Sequence, residues 1–208
     1  MSAGRGEAYR LPPLRWHQWL LILMTLVVIV LLRKVQPTQE QKLAPIATPG
    51  SEQLERVAGR NFAVDVHGFK VARAYQVGGD LLNPRPRLLA TTGVWLSVVT
   101  EIEALQTPGY ISAQLRTRDG LVYRADTTRL KLRDLNLGDR AVAPGLPERG
   151  AYFFELPPTA LEGLRLQVYW GNLTPTRMDS LVDIDLGIDA ARARRLLAEA
   201  KPVVDLRR

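Results

Sequence analysis

Residues 93–104 have the sequence GVWLSVVTEIEA, and apolar side chains recur at every second position along it. Successive side chains of a β-strand point to opposite sides, so one face would carry Val94, Leu96, Val98, Thr100 and Ile102. The other face would carry Trp95, Ser97, Val99, Glu101 and Glu103, and it becomes charged towards its end. The stretch therefore predicts a strand with one face in a core and the other in water.

The same period of two continues on both sides of this strand. It is visible in the segments 62–71, 111–115, 121–123, 129–133, 152–156, 164–170 and 182–188. Gly68 would mark a β-bulge in the first of them, and Asp119-Gly120 would form a hairpin turn with positive φ. A series of about eight strands separated by turn residues is typical of a β-sandwich, so the chain is predicted to be mainly β.

Residues 20–32, LLILMTLVVIVLL, contain no charge and a single threonine. Extended back to Trp16, this apolar segment has 17 residues, or about 26 Å of helix, which is at the short end for a bilayer span. Tryptophan rings and long basic side chains favour the membrane interface. We therefore expect five residues to lie at the two interfaces: Arg15, Trp16, Trp19, Arg33 and Lys34.

An uncleaved signal anchor competes with a cleaved signal peptide and with a buried core helix. Arg33 and Lys34 follow the apolar run at once, and no small-residue cleavage site lies close behind it, which disfavours cleavage. A core helix would need a polar face, and none is visible. Arg5, Arg10 and Arg15 favour a cytoplasmic N-terminus, although the two basic residues after the helix oppose this orientation. We expect a single-pass protein of the cell membrane whose C-terminal domain lies outside the cytoplasm.

The same patterns divide the chain into five segments. Residues 1–15 are the cytoplasmic tail, 16–34 the transmembrane anchor, 35–60 a stalk or linker, 61–188 the sandwich, and 189–208 a basic helix and tail. Within the proline-containing linker, residues 52–60 could form a short helix. Asp189 is a suitable N-cap for the run rich in alanine, leucine and arginine that follows it, which predicts an amphipathic helix ending before Pro202.

Composition excludes several classes of function. The net charge is +7, but five of the 28 basic residues flank the apolar segment, and from Val35 onward 23 basic residues are interspersed with 20 acidic ones. A nucleic-acid-binding domain would gather its basic residues on one face, so no nucleic-acid partner is expected. The chain has no cysteine, which excludes disulfides, thiol catalysis and thiolate metal sites.

Several segments occur in an order that resembles the bacterial DUF4352 domains. They are GVWLSVVTEIEAL (93–105), QLRTRDGLVYRAD (114–126), VAPGLPERG (142–150), and AYFFELPP (151–158) followed by LRLQVYWG (164–171). This resemblance, over about residues 61–188, implies a telokin-like, immunoglobulin-like sandwich behind an N-terminal anchor. The chain departs from the family at Glu103-Ala104, where an asparagine is frequent, and it lacks a lipobox cysteine. The family has no known activity, so no site residues are carried over.

Three groups of polar residues could carry chemistry, and each has a simpler interpretation. Asp183, Asp185 and Asp189 resemble part of a calcium loop, but apolar residues alternate with them as on the solvated side of a strand. His67 stands alone without a visible nucleophile, and the paired carboxylates Glu101 and Glu103 fit the wet face of a strand. We therefore expect no enzyme, and no metal or other cofactor.

The remaining candidates are residues that would contact a ligand or a partner. These are Trp95, Tyr169 and Trp170 on mixed strand faces and Arg192, Arg194 and Arg195 on the terminal helix, with packing as the favoured interpretation of the three rings. The expected function is that of a membrane-anchored interaction or scaffold module, an accessory subunit of a bacterial cell-envelope assembly. Its partners would be the lipid bilayer and an envelope protein or a second copy. The alternative is a domain that binds envelope glycans or lipids.

Overall fold

The computed structural model describes residues 15–35, 43–49, 56–79, 85–130, 132, 135–172, 175–176 and 178–207. The chain divides into two units, residues 1–43 and residues 44–208. The first unit contains one helix, α1, which runs from Trp16 to Val35. The second unit contains every described strand and a second helix.

Helix α1 is long and apolar enough to cross a membrane. Residues 16–34 include a window with a mean hydropathy of 1.8, and none of that window is buried. The helix forms because leucine and methionine are good helix formers, and its valines and isoleucines are tolerated there. Its backbone begins with a hydrogen bond from the Arg15 N–H to the Gln18 side-chain oxygen at 2.8 Å.

The second unit contains two β-sheets in which most strand pairs are antiparallel. The strands are β1 (Ile46–Pro49), β2 (Val57–Ala58), β3 (Phe62–Val77), β4 (Arg87–Ala104), β5 (Gly109–Arg116), β6 (Val122–Arg124), β7 (Ala141–Val142), β8 (Glu148–Leu156), β9 (Arg165–Trp170), β10 (Ser180–Asp185) and β11 (Val204–Asp205). The first sheet has the order β1-β10-β9-β5-β6, with β7 also paired to β5. The second has the order β11-β3-β4-β8, with β2 also paired to β3.

The main core lies between the two sheets, as the alternating pattern predicts. The first face of β4 is buried there, together with apolar residues of β5, β8, β9 and β10. Tyr152 on β8 crosses this core, and its hydroxyl donates to the Ile111 carbonyl on β5 at 2.6 Å. The chain is therefore a β-sandwich, with an N-terminal helix that could span a membrane.

The predicted β-bulge and the predicted hairpin turn are both present. The pairing of β3 with β4 shifts register between Val66 and Gly68, where Gly68 has a φ of 152°, so the predicted bulge is confirmed. The hairpin between β5 and β6 turns at Gly120, which has a φ of 87° and donates its N–H to the Thr117 carbonyl at 3.0 Å. Asp119 does not share the positive φ, so this turn places only one residue in the left-handed region.

The second face of β4 is not solvated along its whole length, which corrects the sequence-based expectation. Trp95 is fully buried in a second apolar cluster on the outer side of its sheet, with members Ala72, Tyr75, Val77, Leu130, Ala151 and Phe153. Leu130 belongs to a loop here, not to the predicted strand 129–133, of which residues 131 and 133 lie outside the described residues. Glu101 and Glu103, at the other end of β4, remain partly exposed.

Both flanks of the predicted sandwich contribute strands to it. Strand β1 pairs with β10, and β2 pairs with β3, inside the segment expected to be a linker. Val57 and Ala58 are therefore extended and not helical, while residues 51–55 lie outside the described part of the chain. At the other end, helix α2 (Ala190–Ala198) begins at the predicted N-cap Asp189, whose side chain accepts from the Arg192 N–H at 2.7 Å. Strand β11 then adds to β3.

Candidate interaction surfaces

Trp95 is enclosed and is not part of an open surface. Its ring has no exposed area, contacts Tyr75 at 5.8 Å between ring centroids, and donates its Nε1–H to the Leu89 carbonyl at 3.2 Å. The guanidinium of Arg129 lies 4.7 Å from the ring centroid and forms a cation–π contact that closes the cluster from outside. The enclosed ring of Trp95 fits the packing interpretation that the sequence favoured.

Ion pairs hold the loop that covers Trp95. Arg129 forms ion pairs with Asp126, at 2.8 Å, and with Glu155. Burial opposes ionisation of Asp126, but hydrogen bonds from Arg129 and from nearby backbone N–H groups outweigh burial and lower the pKa of Asp126. Burial likewise opposes ionisation of Glu155, and hydrogen bonds from Thr91 and Arg129 lower the pKa of its carboxyl.

Asn136 fixes the same loop from inside. Its side chain is completely buried and donates to the Asp126 carbonyl at 2.7 Å and to the Leu130 carbonyl at 2.9 Å. Its side-chain oxygen accepts from the Gly138 N–H at 3.1 Å. Nothing in the local sequence predicted this role, because the partners are brought together by the fold of the loop.

Tyr169 is also buried. Only 2% of it is exposed, on the outer side of the first sheet. Burial raises the pKa of its hydroxyl, while the nearby positive charge of Arg124 opposes the increase. An open stacking platform would expose the ring, so this geometry fits the packing interpretation that the sequence favoured for Tyr169.

Trp170 is the one ring of the three that remains partly exposed. It lies at the end of β9, packs on the edge of the main core, and its indole covers Gly109 so closely that a Cβ there would collide with it. The glycine at the start of β5 is therefore required by close approach. Trp170 keeps part of its surface available at this end of the sandwich.

The arginines of α2 have two different environments. Arg192 lies over the ring of Phe69, with 4.8 Å from its guanidinium carbon to the ring centroid, and it donates to the Gly187 carbonyl at 3.3 Å. Arg194 and Arg195 are exposed and form no ion pair with a described residue. The buried side of the helix consists of Ala193 with the partly buried Leu196 and Leu197.

The expected interface residues of α1 are all on its surface. Trp16 and Trp19 are 76% and 61% exposed at the N-terminal end, next to Arg15. Arg33 and Lys34 occupy the last turn, where positive charge also complements the helix dipole. This distribution is compatible with a membrane span, and it assigns no orientation.

The aspartates that resemble a calcium loop serve other purposes. Asp183 accepts from the Arg165 Nε–H at 2.9 Å, and Asp185 pairs with the same guanidinium at 3.4 Å. Asp189 caps α2. Across the described residues, no group of three or more potential ligands is arranged to hold a metal ion. His67 lies 3.9 Å from Glu101, both partly exposed, as a weak surface pair.

An open cleft of about 350 Å³ lies beside the turn between β5 and β6. Tyr123 and Leu121 provide its apolar wall, and Arg118 and Glu162, 3.6 Å apart, form an ion pair at its side. The cleft offers an aromatic ring with charges of both signs, a combination that suits a polar ligand such as a sugar. Sequence reasoning missed it, because its two walls are about 40 residues apart in the chain.

The opposite end of the sandwich carries a second feature that the sequence did not reveal. Here the turns preceding β3, β5, β8 and β10 meet, and we call this the loop end. The Asn61 carbonyl accepts from the Leu105 N–H at 2.8 Å, and the Asn61 amide donates to Asp179 at 2.6 Å. Large apolar side chains are exposed on it by 40% to 68%: Ile46, Leu105, Tyr110, Leu146 and Met178.

Comparisons with known proteins identify partial likenesses in fold. No family model and no curated protein matches the chain. One similar structure is an uncharacterised β-sandwich protein from Clostridium difficile 630, which is 10% identical with a TM-score of 0.42 and covers 73% of this chain and 99% of its own. Another is the yjhA protein from Bacillus subtilis, which is 13% identical with a TM-score of 0.41 and covers 63% and 97%. The resemblance to DUF4352 domains therefore stays a proposal.

Proposed function

We propose that this protein is a membrane-anchored interaction module, with α1 as an uncleaved anchor and the sandwich outside the cytoplasm. The observation that carries the proposal is α1 itself, an apolar helix with every described side chain exposed. Such a surface is unfavourable in water, because about 25 cal/mol is lost for each Å² of apolar area left hydrated. A bilayer removes that cost, and the tryptophans and basic residues at both ends suit its interfaces.

The sandwich would then act by contact as an accessory or scaffold subunit of a cell-envelope assembly. Arg194 and Arg195 support this role, since two adjacent exposed guanidinium groups are suited to bidentate hydrogen bonds with carboxylates. Complementary charges of this kind increase association rates and select partners. The partner would present an acidic surface, on another envelope protein or on a second copy of the chain.

Crosslinking in intact cells, followed by mass spectrometry, tests the proposal. We expect the full chain to give reproducible crosslinks to one envelope protein or to itself. The double variant Arg194→Glu/Arg195→Glu should reduce their yield about tenfold, the effect of losing roughly 1.4 kcal/mol of binding free energy.

The matched control is Arg116→Glu/Arg124→Glu, which changes the net charge equally on two exposed residues of β5 and β6, on a different part of the sandwich. It should leave the crosslinks intact. A full chain that remains an uncrosslinked monomer in the membrane would contradict the proposed function. Equal losses in the two double variants would instead contradict the assignment to α2 and indicate a response to net charge.

We further propose that the sandwich is of the immunoglobulin-like, DUF4352 type. The order of the motifs in residues 93–171 supports this, together with the turn at Pro144-Gly145, where Gly145 has a φ of 73°. An experimental structure that superposes on a DUF4352 domain strand for strand would support the assignment. A different strand connectivity would contradict it.

A glycan-binding function is the second candidate, and the cleft beside Tyr123 favours it. Aromatic rings stack on the apolar faces of sugars, while Glu162, Arg118 and Thr159 offer hydrogen-bonding groups around the ring. Binding of envelope oligosaccharides to the full chain on a glycan array, lost in Tyr123→Ala and retained in Tyr110→Ala, would support this candidate. An array without any bound glycan would reject it.

A further inference from the structure

We propose that the loop end of the sandwich docks on the surface of the lipid bilayer, with Leu105, Tyr110, Leu146 and Met178 in the interfacial layer. This inference rests on the membrane anchor proposed above and goes beyond it. An anchor alone does not determine which surface of the domain faces the lipid. Docking would hold the domain in one orientation, with the opposite end and its cleft directed away from the membrane.

The first observation is that backbone hydrogen bonds join the turns that carry these side chains. The Ala104 carbonyl accepts from the Gly145 N–H at 3.4 Å. Ala104 and Gly145 directly precede Leu105 and Leu146 in the chain. The Tyr110 carbonyl accepts from the Gly171 N–H at 2.9 Å. These bonds join the turns before β5, β8 and β10, so the exposed apolar groups are presented together.

The second observation concerns the kind of side chain presented. The exposed aliphatic residues lie together with Tyr110 and the partly exposed Trp170. Tyrosine and tryptophan are the residue types enriched at the headgroup level of membranes. Arg60, on the turn before β3, is exposed and could reach lipid phosphates. Exposed apolar residues scattered singly need no explanation, but such a group at the tips of adjacent turns does.

The third observation is the backbone of Met178. It has a φ of 56°, a conformation that costs a side-chain-bearing residue about 1–2 kcal/mol, yet its side chain is 60% exposed. The neighbouring Asp179 is buried and held by the Asn61 amide and the Ser180 N–H at 2.6 Å and 2.7 Å. A strained backbone that presents an apolar side chain to the outside is expected where that side chain has a partner.

The fourth observation is where the chain enters the sandwich, and it favours a bilayer over a soluble partner. Strand β1 begins at the loop end, since the Ile46 N–H donates to the Asp179 carbonyl at 2.8 Å. Ten residues separate Val35 from Ile46, and ten residues span at most about 35 Å when fully extended. A membrane that holds α1 is therefore always available to this end, at a high effective concentration.

Depth-dependent quenching tests the docking, and the absence of cysteine makes single-site labelling simple. Leu146→Cys and Met178→Cys, each in the full chain, would carry an environment-sensitive fluorophore in nanodiscs of phosphatidylethanolamine and phosphatidylglycerol. We expect lipids brominated near the headgroup to reduce the emission at both sites about twofold, as for groups in the interfacial layer. Leu121→Cys, on the opposite end with 57% exposure, is the matched control and should not be quenched.

A label at Val27→Cys in α1 separates the docking hypothesis from the anchor hypothesis. Quenching at Val27→Cys by lipids brominated on their acyl chains, without quenching at Leu146→Cys and Met178→Cys, would overturn the docking and leave the anchor intact. No quenching at Val27→Cys would reject the anchor, and the docking with it. Blue-shifted emission at the loop-end sites that depends on protein density, and not on bromine, would assign this surface to a protein contact and overturn the docking.

Discussion

At the scale of single residues, the outer cluster depends on groups that no local pattern identifies. Arg129 lies over the buried ring of Trp95, and Arg129 is held in turn by Asp126 and Glu155. Asn136 satisfies the carbonyls that the covering loop would otherwise leave unpaired in the interior. One loop therefore converts a half-exposed sheet face into a second core.

Replacing Asn136 with alanine should destabilise the sandwich by about 2–4 kcal/mol, since two buried carbonyls and the Gly138 N–H would lose their partners. Chemical denaturation of the full chain in detergent micelles, followed by tryptophan fluorescence, measures this change. Asn172→Ala is the control, because that residue is exposed and its loss should cost less than about 0.5 kcal/mol. Equal midpoints for the two variants would contradict the role of Asn136.

Asp126 should make the stability of the sandwich depend on pH in the acid range. Its pKa is lower in the folded chain than the value of about 3.9 expected when it is unfolded. Asp126 therefore binds a proton less readily in the folded state than in the unfolded state. The contribution of its carboxylate to the free energy of unfolding is complete above about pH 5, and it is lost as the pH falls through the folded-state pKa. Denaturation midpoints measured between about pH 2 and pH 7 should fall less steeply in Asp126→Asn. The control Asp119→Asn, in the exposed hairpin turn, should follow the parent curve.

At the scale of elements, the long strands and the hairpin strand β6 were predictable, whereas the two-residue strands were not. Strands β4, β5, β8, β9 and β10 contain enough alternating residues for one face to be recognised as a core face. Strands β2 and β11 have two residues each, and no periodicity can be detected over two positions. Their pairing depends on the finished edge of β3, which is a property of the tertiary structure.

Close packing of the covering loop on β8 gives a prediction for that strand. A Cβ at Gly150 would lie 2.6 Å from the Leu135 carbonyl oxygen and 2.8 Å from the Leu137 side chain, so Gly150→Ala must displace the loop. We expect a loss of about 1–3 kcal/mol, the usual cost of overpacking. Gly78→Ala is the control, because nothing lies within 4 Å of the new methyl group, and it should be neutral or slightly stabilising. Similar denaturation midpoints for the two variants would contradict this packing.

At the scale of the whole molecule, the candidate surfaces were predicted only in part. Arg194, Arg195 and Trp170 keep exposed surface, whereas Trp95 and Tyr169 are enclosed by elements distant in sequence. The loop end and the cleft beside Tyr123 were missed for the same reason, since each is assembled from several turns. Anchor and contact surface are properties of different units, and the proposed function requires both.

The central claim is that α1 remains in the protein as a membrane anchor with the sandwich outside the cytoplasm. Single-cysteine accessibility in a bacterial host measures this directly, because the parent chain has no cysteine. Ser2→Cys would mark the N-terminal tail, and Asp119→Cys would mark the exposed β5–β6 turn of the sandwich. A maleimide that cannot cross membranes would be added to spheroplasts, before and after permeabilisation.

We predict that Asp119→Cys is labelled in intact spheroplasts, while Ser2→Cys is labelled only after permeabilisation. The labelled protein should remain in carbonate-washed membranes at the full mass of 23.2 kDa. A soluble or shortened protein, or the reverse pattern of labelling, would contradict the account.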